Sequence, residues 1–194
     1  MDSGHGRNSD DKSKHGSLCG VGGSYLTPAE LASALSAVPG RVIVFLDSCF
    51  SGAVISTKDG EADMSESTSF NQAVIDAFAA VNTTLSAKAG EMYGKSKFVV
   101  LTAAAYSEES HVLLGQSQDG SSAFSVFTRA LVEGCGSKYY TGNYSGSIPA
   151  DKNGDKGITV TEIFSYISND QYVKKLQQTT QCYAADMNEV LFCR

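Results

Sequence analysis

An α/β fold, a doubly wound layer of helices around a parallel sheet, is the architecture this sequence predicts, and three observations predict it. Two short runs, within Arg41–Asp47 and Lys97–Ala103, are β-branched or apolar on both faces, which is the pattern of strands covered on both sides. Helical stripes of apolar residues alternate with those runs along the chain. Small polar residues cluster at the junctions, as they do where strands open into loops, and in such sheets active sites gather outside the carboxyl ends of the strands.

Each element has its own local warrant. Residues 1–24, rich in Gly, Ser, Asp and Lys, read as an irregular loop. Thr27-Pro28-Ala29-Glu30 then combines an N-cap, a proline at the first helical position and a glutamate three after the cap, and Pro39-Gly40 stops the stripe of Leu31, Leu35 and Val38. The first strand follows at 41–47 and ends where Ser48-Cys49-Phe50-Ser51-Gly52 begins. Residues 53–69 lack periodicity and read as an exposed connection open to proteolysis. Phe70, Val74, Ile75, Phe78, Val81 and Leu85 make a second helix, closed near Gly90 and Gly94.

The strand at 97–103 leads into a polar loop, 107–121, and a third helix from Ala123 to Val132 with Ser121 or Ser122 as its cap. Thr159-x-x-Glu162 is a second capping box, opening a helix that carries Ile163, Phe164, Tyr166 and Ile167. A short final strand, Glu189 to Phe192, is expected to close the sheet edge.

Size and charge narrow the function. At 194 residues and 42% hydrophobic composition, one domain spanning 1–194 is expected. The net charge of -6, with no block of Lys or Arg at either end, argues against nucleic acid as a partner. No apolar run exceeds the five residues of Val42 to Leu46, far short of the roughly 18 needed to span a bilayer, so no membrane role is expected. Five cysteines, Cys19, Cys49, Cys135, Cys182 and Cys193, are odd in number and form no C-x-x-C pair, which favours a reducing, cytoplasmic compartment with a thiol free for chemistry.

Cys49 is the best-placed thiol, just past a strand end and followed by Gly52. A nucleophilic cysteine needs a histidine, and the candidates are His5, His15 and His111. His5 stands out because Gly4 and Gly6 leave its surroundings open to backbone and substrate. The plain alternative is a small core cysteine and an unrelated loop histidine. Two lookalikes are set aside: Ala89-x-x-x-x-Gly94-Lys95-Ser96 lacks the strand-then-helix setting of a phosphate loop and reads as a turn with Lys95 and Lys97 solvated, and Asp119 stands where a serine-hydrolase elbow around Ser117 needs glycine.

His5 precedes Cys49 by 44 positions, and Ser3-Gly4-His5-Gly6 with Leu46-Asp47-Ser48-Cys49-Phe50-Ser51-Gly52 resembles the two signature blocks of caspase-like cysteine peptidases of clan CD. The Asp-Ser-Cys form is similar to metacaspases and their bacterial relatives, as are Leu101-Thr102-Ala103-Ala104, Phe127-Thr128-Arg129-Ala130-Leu131 and the tail from Gln177. The resemblance implies a caspase-like three-layer sandwich with a mostly parallel central sheet. It implies Cys49 as nucleophile, His5 as the histidine that serves the leaving amine, and the N–H groups of Gly6 and Cys49 as the oxyanion hole. It also implies that the strands before the histidine block are missing, so that this chain is the C-terminal two-thirds of the domain, with an open sheet edge beside the nucleophile strand and His5 on a loosely held chain end.

Asp47 lies two positions before Cys49, and in an extended segment those positions share a face. A buried acid there selects a basic side chain before the cut bond, as the matching residue does in metacaspases; the alternative is that Asp47 bonds the backbone of the turn it begins. The substrate expected is a peptide cut after Arg or Lys, with Lys58 in the 53–69 connection as a self-processing point. No cofactor is needed for the chemistry. Residues 151–162 resemble an EF-hand loop, with Asp151, Asn153, Asp155 and Glu162 at the first, third, fifth and twelfth positions, but Lys156 stands where the turn wants glycine. Calcium binding and a structural hairpin that caps the next helix both remain open. So does a catalytically silent, calcium-responsive scaffold of the same fold.

Overall fold

The computed structural model describes residues 2–7, 17–50, 77–80, 97–105, 110–113, 124–138 and 143–193; of residues 2–7, 28, 49 and 50 it gives the backbone. In chain order the elements are β1 (Asp2–Arg7), β2 (Ser17–Cys19), β3 (Tyr25–Leu26), α1 (Pro28–Ser36), β4 (Val42–Phe50), α2 (described at 77–80), β5 (Phe98–Thr102), β6 (Val112–Leu113), β7 (Phe124–Ser125), α3 (Val126–Gly134), β8 (Gly157–Thr159), α4 (Val160–Ser168), α5 (Gln171–Lys175), β9 (Gln181–Ala184) and β10 (Val190–Cys193). Six strands form one sheet in the order β3-β2-β1-β4-β5-β9.

The sheet is mixed rather than mostly parallel. Its centre, β1-β4-β5, is parallel, while β2, β3 and β9 pair antiparallel at the edges. Connection length explains the edge at β2: nine residues separate it from β1, and a parallel crossover needs a dozen or more. The amino-terminal stretch is therefore not wholly irregular, and the edge beside β4 is not open, since β1 occupies it and β2 and β3 lie outside β1. Nor does the last strand close the sheet: β9 takes that edge, and β10 pairs with β8 in a separate ribbon.

Side-chain alternation along β4 and β5 gives the sheet two apolar faces. Ile43, Phe45, Val99 and Leu101 pack with Phe127, Ala130 and Leu131 of α3 and Ile163 and Ile167 of α4. Val44, Leu46, Phe98 and Val100 pack on the other side with Ala32 of α1 and Phe78 of α2. Helices thus cover both faces, and every residue of β5 is buried, each large apolar side chain contributing roughly 1.5–3 kcal/mol. The hydroxyl of Thr102, at the end of β5, is buried and has no hydrogen-bond partner among the described residues.

Both capping boxes form: Thr27 with Glu30 starts α1, and Thr159 with Glu162 starts α4. Of the second expected helix only 77–80 is described; the 53–69 connection, with Lys58, and His15 lie outside the described residues. Lys97 is not left to solvent. Its ammonium donates to the carbonyls of Val38 and Gly40, pinning the turn after α1 to the start of β5. Gly134 lets α3 and α4 touch, because a Cβ there would lie 2.8 Å from Tyr166 Cδ1. Arg129, 4% exposed, pairs with Glu133 and with Asp170, the N-cap of α5, and stacks 4.6 Å from the Tyr172 ring.

β4 is longer than its sequence suggests. Val42 to Leu46 pair with β5, and Leu46 to Phe50 pair with β1, so the strand continues through Ser48 and Cys49 on the strength of its second neighbour.

Candidate functional site

The parallel β1·β4 ladder brings the segment around His5 and the segment around Cys49 together. Its register pairs Ser3 with Asp47, Gly4 with Ser48, His5 with Cys49 and Gly6 with Phe50. Adjacent strands lie about 4.8 Å apart and register partners of a parallel ladder occupy the same face, so positions 5 and 49 are next neighbours near the carboxyl ends of both strands. The β5 ladder stops at the Leu46–Thr102 pair, with one further bond from Ala103 N–H to the Leu46 carbonyl at 2.9 Å. Beyond that point β4 has no strand on its β5 side among the described residues.

Asp47 anchors the site. It is 3% exposed, and its carboxylate accepts three hydroxyls: Ser110 Oγ at 2.9 Å and Ser125 Oγ at 2.8 Å on Oδ1, and Thr128 Oγ1 on Oδ2. The partners come from the 110–113 segment and the start of α3, which cover the same sheet face as Ile43 and Phe45. None belongs to the turn after Asp47, where the local alternative put its bonds.

The helix that meets this carboxylate starts later than expected. Its N-cap is Ser125, not Ser121 or Ser122, and the Ser125 side chain makes no capping bond to α3 because it serves Asp47. Thr128 stands three residues on, in the first turn, so the negative charge lies where a helix amino terminus stabilises it. Gln178 braces the other side: its Nε2 donates to the Ala103 carbonyl at 2.7 Å and its Oε1 accepts from His111 N–H at 2.9 Å, while Val126 N–H donates to the His111 carbonyl. Ser110 is thus carried on a segment clamped between β5 and α3.

Ser110, Ser125, Thr128 and Gln178 were not singled out as site residues from the sequence. Ser125 and Thr128 carry one local signal, Ser125-x-x-Thr128 ahead of an apolar stripe, which reads as a helix start, while Thr128 and Gln178 otherwise lie in segments quoted for the family resemblance without a site role.

In the 151–162 loop the expected ligands serve the turn. Asp151 accepts from the N–H groups of Gly154 and Lys156, Asn153 Oδ1 from Asp155 N–H, and Asp155 Oδ1 from Gly157 N–H. Glu162 accepts from Lys152 N–H and from both the N–H and hydroxyl of Thr159. The backbone bond from Thr159 is the largest cause holding the Glu162 carboxyl below its ordinary range. Lys156 takes a left-handed φ of 69° in place of glycine. Among the described residues no three His, Cys, Asp or Glu side chains are grouped to hold a metal, and no step below is routed through calcium.

Two other thiols are chemically quiet. Burial pushes Cys135 up to about 11 and Cys182 up to about 12, whereas Cys19 and Cys193 are exposed. No family model, curated protein or solved structure matches this chain.

Proposed function

We propose that this chain is a cysteine endopeptidase of caspase-like, metacaspase-type architecture that cuts peptides after a basic residue. The observation that carries the reading is the register pairing of His5 with Cys49 across a parallel ladder, at the sheet end where α/β active sites form.

The Cys49 thiolate attacks the scissile carbonyl, and the oxyanion that develops is held by backbone N–H groups of Gly6 and Cys49. The C–N bond then breaks as His5 delivers a proton to the leaving amine, leaving a thioester on Cys49. Water, giving a proton to His5, attacks that thioester and releases the new carboxylate and the thiol.

Asp47 supplies the negative charge of the pocket for the residue before the cut. Its place two positions before the nucleophile, on a face already occupied by its hydroxyl partners, suits that role. The test compares the wild type with Cys49→Ala and His5→Ala on fluorogenic peptides ending in Lys, Arg or Asp, with and without calcium. Cleavage of the basic peptides that falls by about 10³-fold or more in both variants is expected. Equal signal from wild type and Cys49→Ala removes the reading and leaves a silent scaffold.

A further inference from the structure

We infer that this site prefers lysine to arginine before the cut bond, an inference that rests on the peptidase reading above and refines its substrate. The argument is a count of acceptor sites. An ionised carboxylate offers about four lone-pair positions, two on each oxygen. On Asp47, Oδ1 accepts from both Ser110 and Ser125, and Oδ2 accepts from Thr128. Oδ1 is therefore filled, and a single position is left on Oδ2.

The two basic side chains differ in what they ask of a carboxylate. Guanidinium binds best through two parallel N–H bonds, one to each oxygen, and that fork needs an open position on Oδ1. An ammonium is a compact point charge that needs one acceptor and can turn its other two donors to backbone carbonyls or water. Asp47 is only 3% exposed, which leaves little room beside its carboxylate and again suits the slimmer head.

The cradle does not yield cheaply. Ser125 sits at the N-cap of α3 and gives that helix no side-chain bond, so its hydroxyl is committed to Asp47. Ser110, 5% exposed, rides on the segment that Gln178 clamps. Admitting a fork means parting one of these hydroxyls from a charged acceptor inside the protein, where a group without a partner is costly. Ser110, Ser125 and Thr128 are positioning residues in this scheme: they act on substrate through Asp47.

The experiment measures kcat/KM for two fluorogenic peptides identical except for Lys or Arg before the cut. The proteins are wild type, Ser110→Ala, Ser125→Ala, the double variant, Ser125→Thr and Cys49→Ala. Wild type is expected to favour the Lys peptide by about tenfold, and the double variant to move the ratio about tenfold or more toward Arg as Oδ1 opens. Ser125→Thr keeps a hydroxyl and keeps the preference. Because both peptides meet the same folded fraction, partial unfolding of a variant cancels in the ratio, and the single variants serve if the double one does not fold. Cleavage that depends on Cys49 but favours Arg in the wild type, or a ratio that neither serine variant moves, overturns the inference and spares the peptidase reading. Absence of any Cys49-dependent cleavage overturns both.

Discussion

Ser125 donates its hydroxyl to Asp47 Oδ1 at 2.8 Å, and α3, whose N-cap it occupies, starts without a side-chain cap. A helix cap and a buried charge compete for one hydroxyl, and the charge wins. Hydrogen bonds to ionised groups contribute about 1.5–3 kcal/mol, against about 1 kcal/mol for an ordinary cap, so the outcome is the energetically expected one.

That competition predicts an inverted result for a substitution that usually helps. Aspartate is among the best N-caps, yet Ser125→Asp places a second carboxylate against Asp47 in a dry site. It is expected to destabilise the protein by roughly 2 kcal/mol or more, and Ser125→Ala by about 1–3 kcal/mol. Urea unfolding checks both. A stabilising Ser125→Asp would show that the hydroxyl serves the helix instead.

Thiol chemistry should sort the cysteines by surroundings. At neutral pH iodoacetamide is expected to reach Cys19 and Cys193, which are exposed, and to spare Cys135 and Cys182, whose burial keeps them protonated up to about 11 and about 12. Cys49, as the proposed nucleophile, should react fastest, and peptide mapping by mass spectrometry after brief labelling reads the order. Rapid modification of Cys182 in the folded protein would contradict the packing described for it.

Removing the guanidinium of Arg129 strands the charge of Asp170, which is 8% exposed. Arg129→Ala is expected to cost about 3–5 kcal/mol, and Arg129→Lys most of that, since an ammonium cannot serve Glu133 and Asp170 while lying flat on Tyr172. Melting temperatures of the two variants decide it; a near-neutral Arg129→Ala refutes the network.

The opposite sign is expected at Thr102. Its hydroxyl is buried without a partner among the described residues, and valine has the same shape, so Thr102→Val should stabilise by about 1 kcal/mol. A lower midpoint in urea would mean that the hydroxyl is satisfied after all.

Glu162 gives a pH test of the 151–162 loop. Its carboxyl is held below the ordinary 4.5 chiefly by the Thr159 N–H, so its contribution is fully present above that value and is lost as pH falls through the lowered one. Glu162→Gln should lower stability at pH 7 and flatten the acid limb of the stability profile below about 4.5. Millimolar calcium is expected to leave the midpoint unchanged, because these oxygens already accept the turn's own N–H groups. A calcium-dependent rise abolished by Asp151→Ala would reinstate the ion.

What the sequence disclosed follows the range of the forces involved. Thr27-Pro28-Ala29-Glu30 and Thr159-x-x-Glu162 act over three residues, and both appear as read. The buried strand around Val44 and the one around Val100 declare themselves through apolar runs. β1 could not be read that way: Asp2, Ser3, Gly4 and Gly6 have neither alternation nor propensity, and the strand exists because β4 offers it a ladder. Asp47 was legible by its spacing from Cys49, but its partners lie 63, 78 and 81 positions away, beyond any local pattern. The start of α3 was misjudged for the same reason, since its cap residue answers to a distant acid.

The divided allegiance of β4 has a mechanical consequence. Its first half is zipped to one companion and its second half to another, so the tip bearing residue 49 can come undone while the greasy middle of the domain stays shut. Whatever loosens the leading strand frees the tip without melting the whole, and proton exchange along this single strand should therefore keep two clocks, fast toward Phe50 and slow toward Val42.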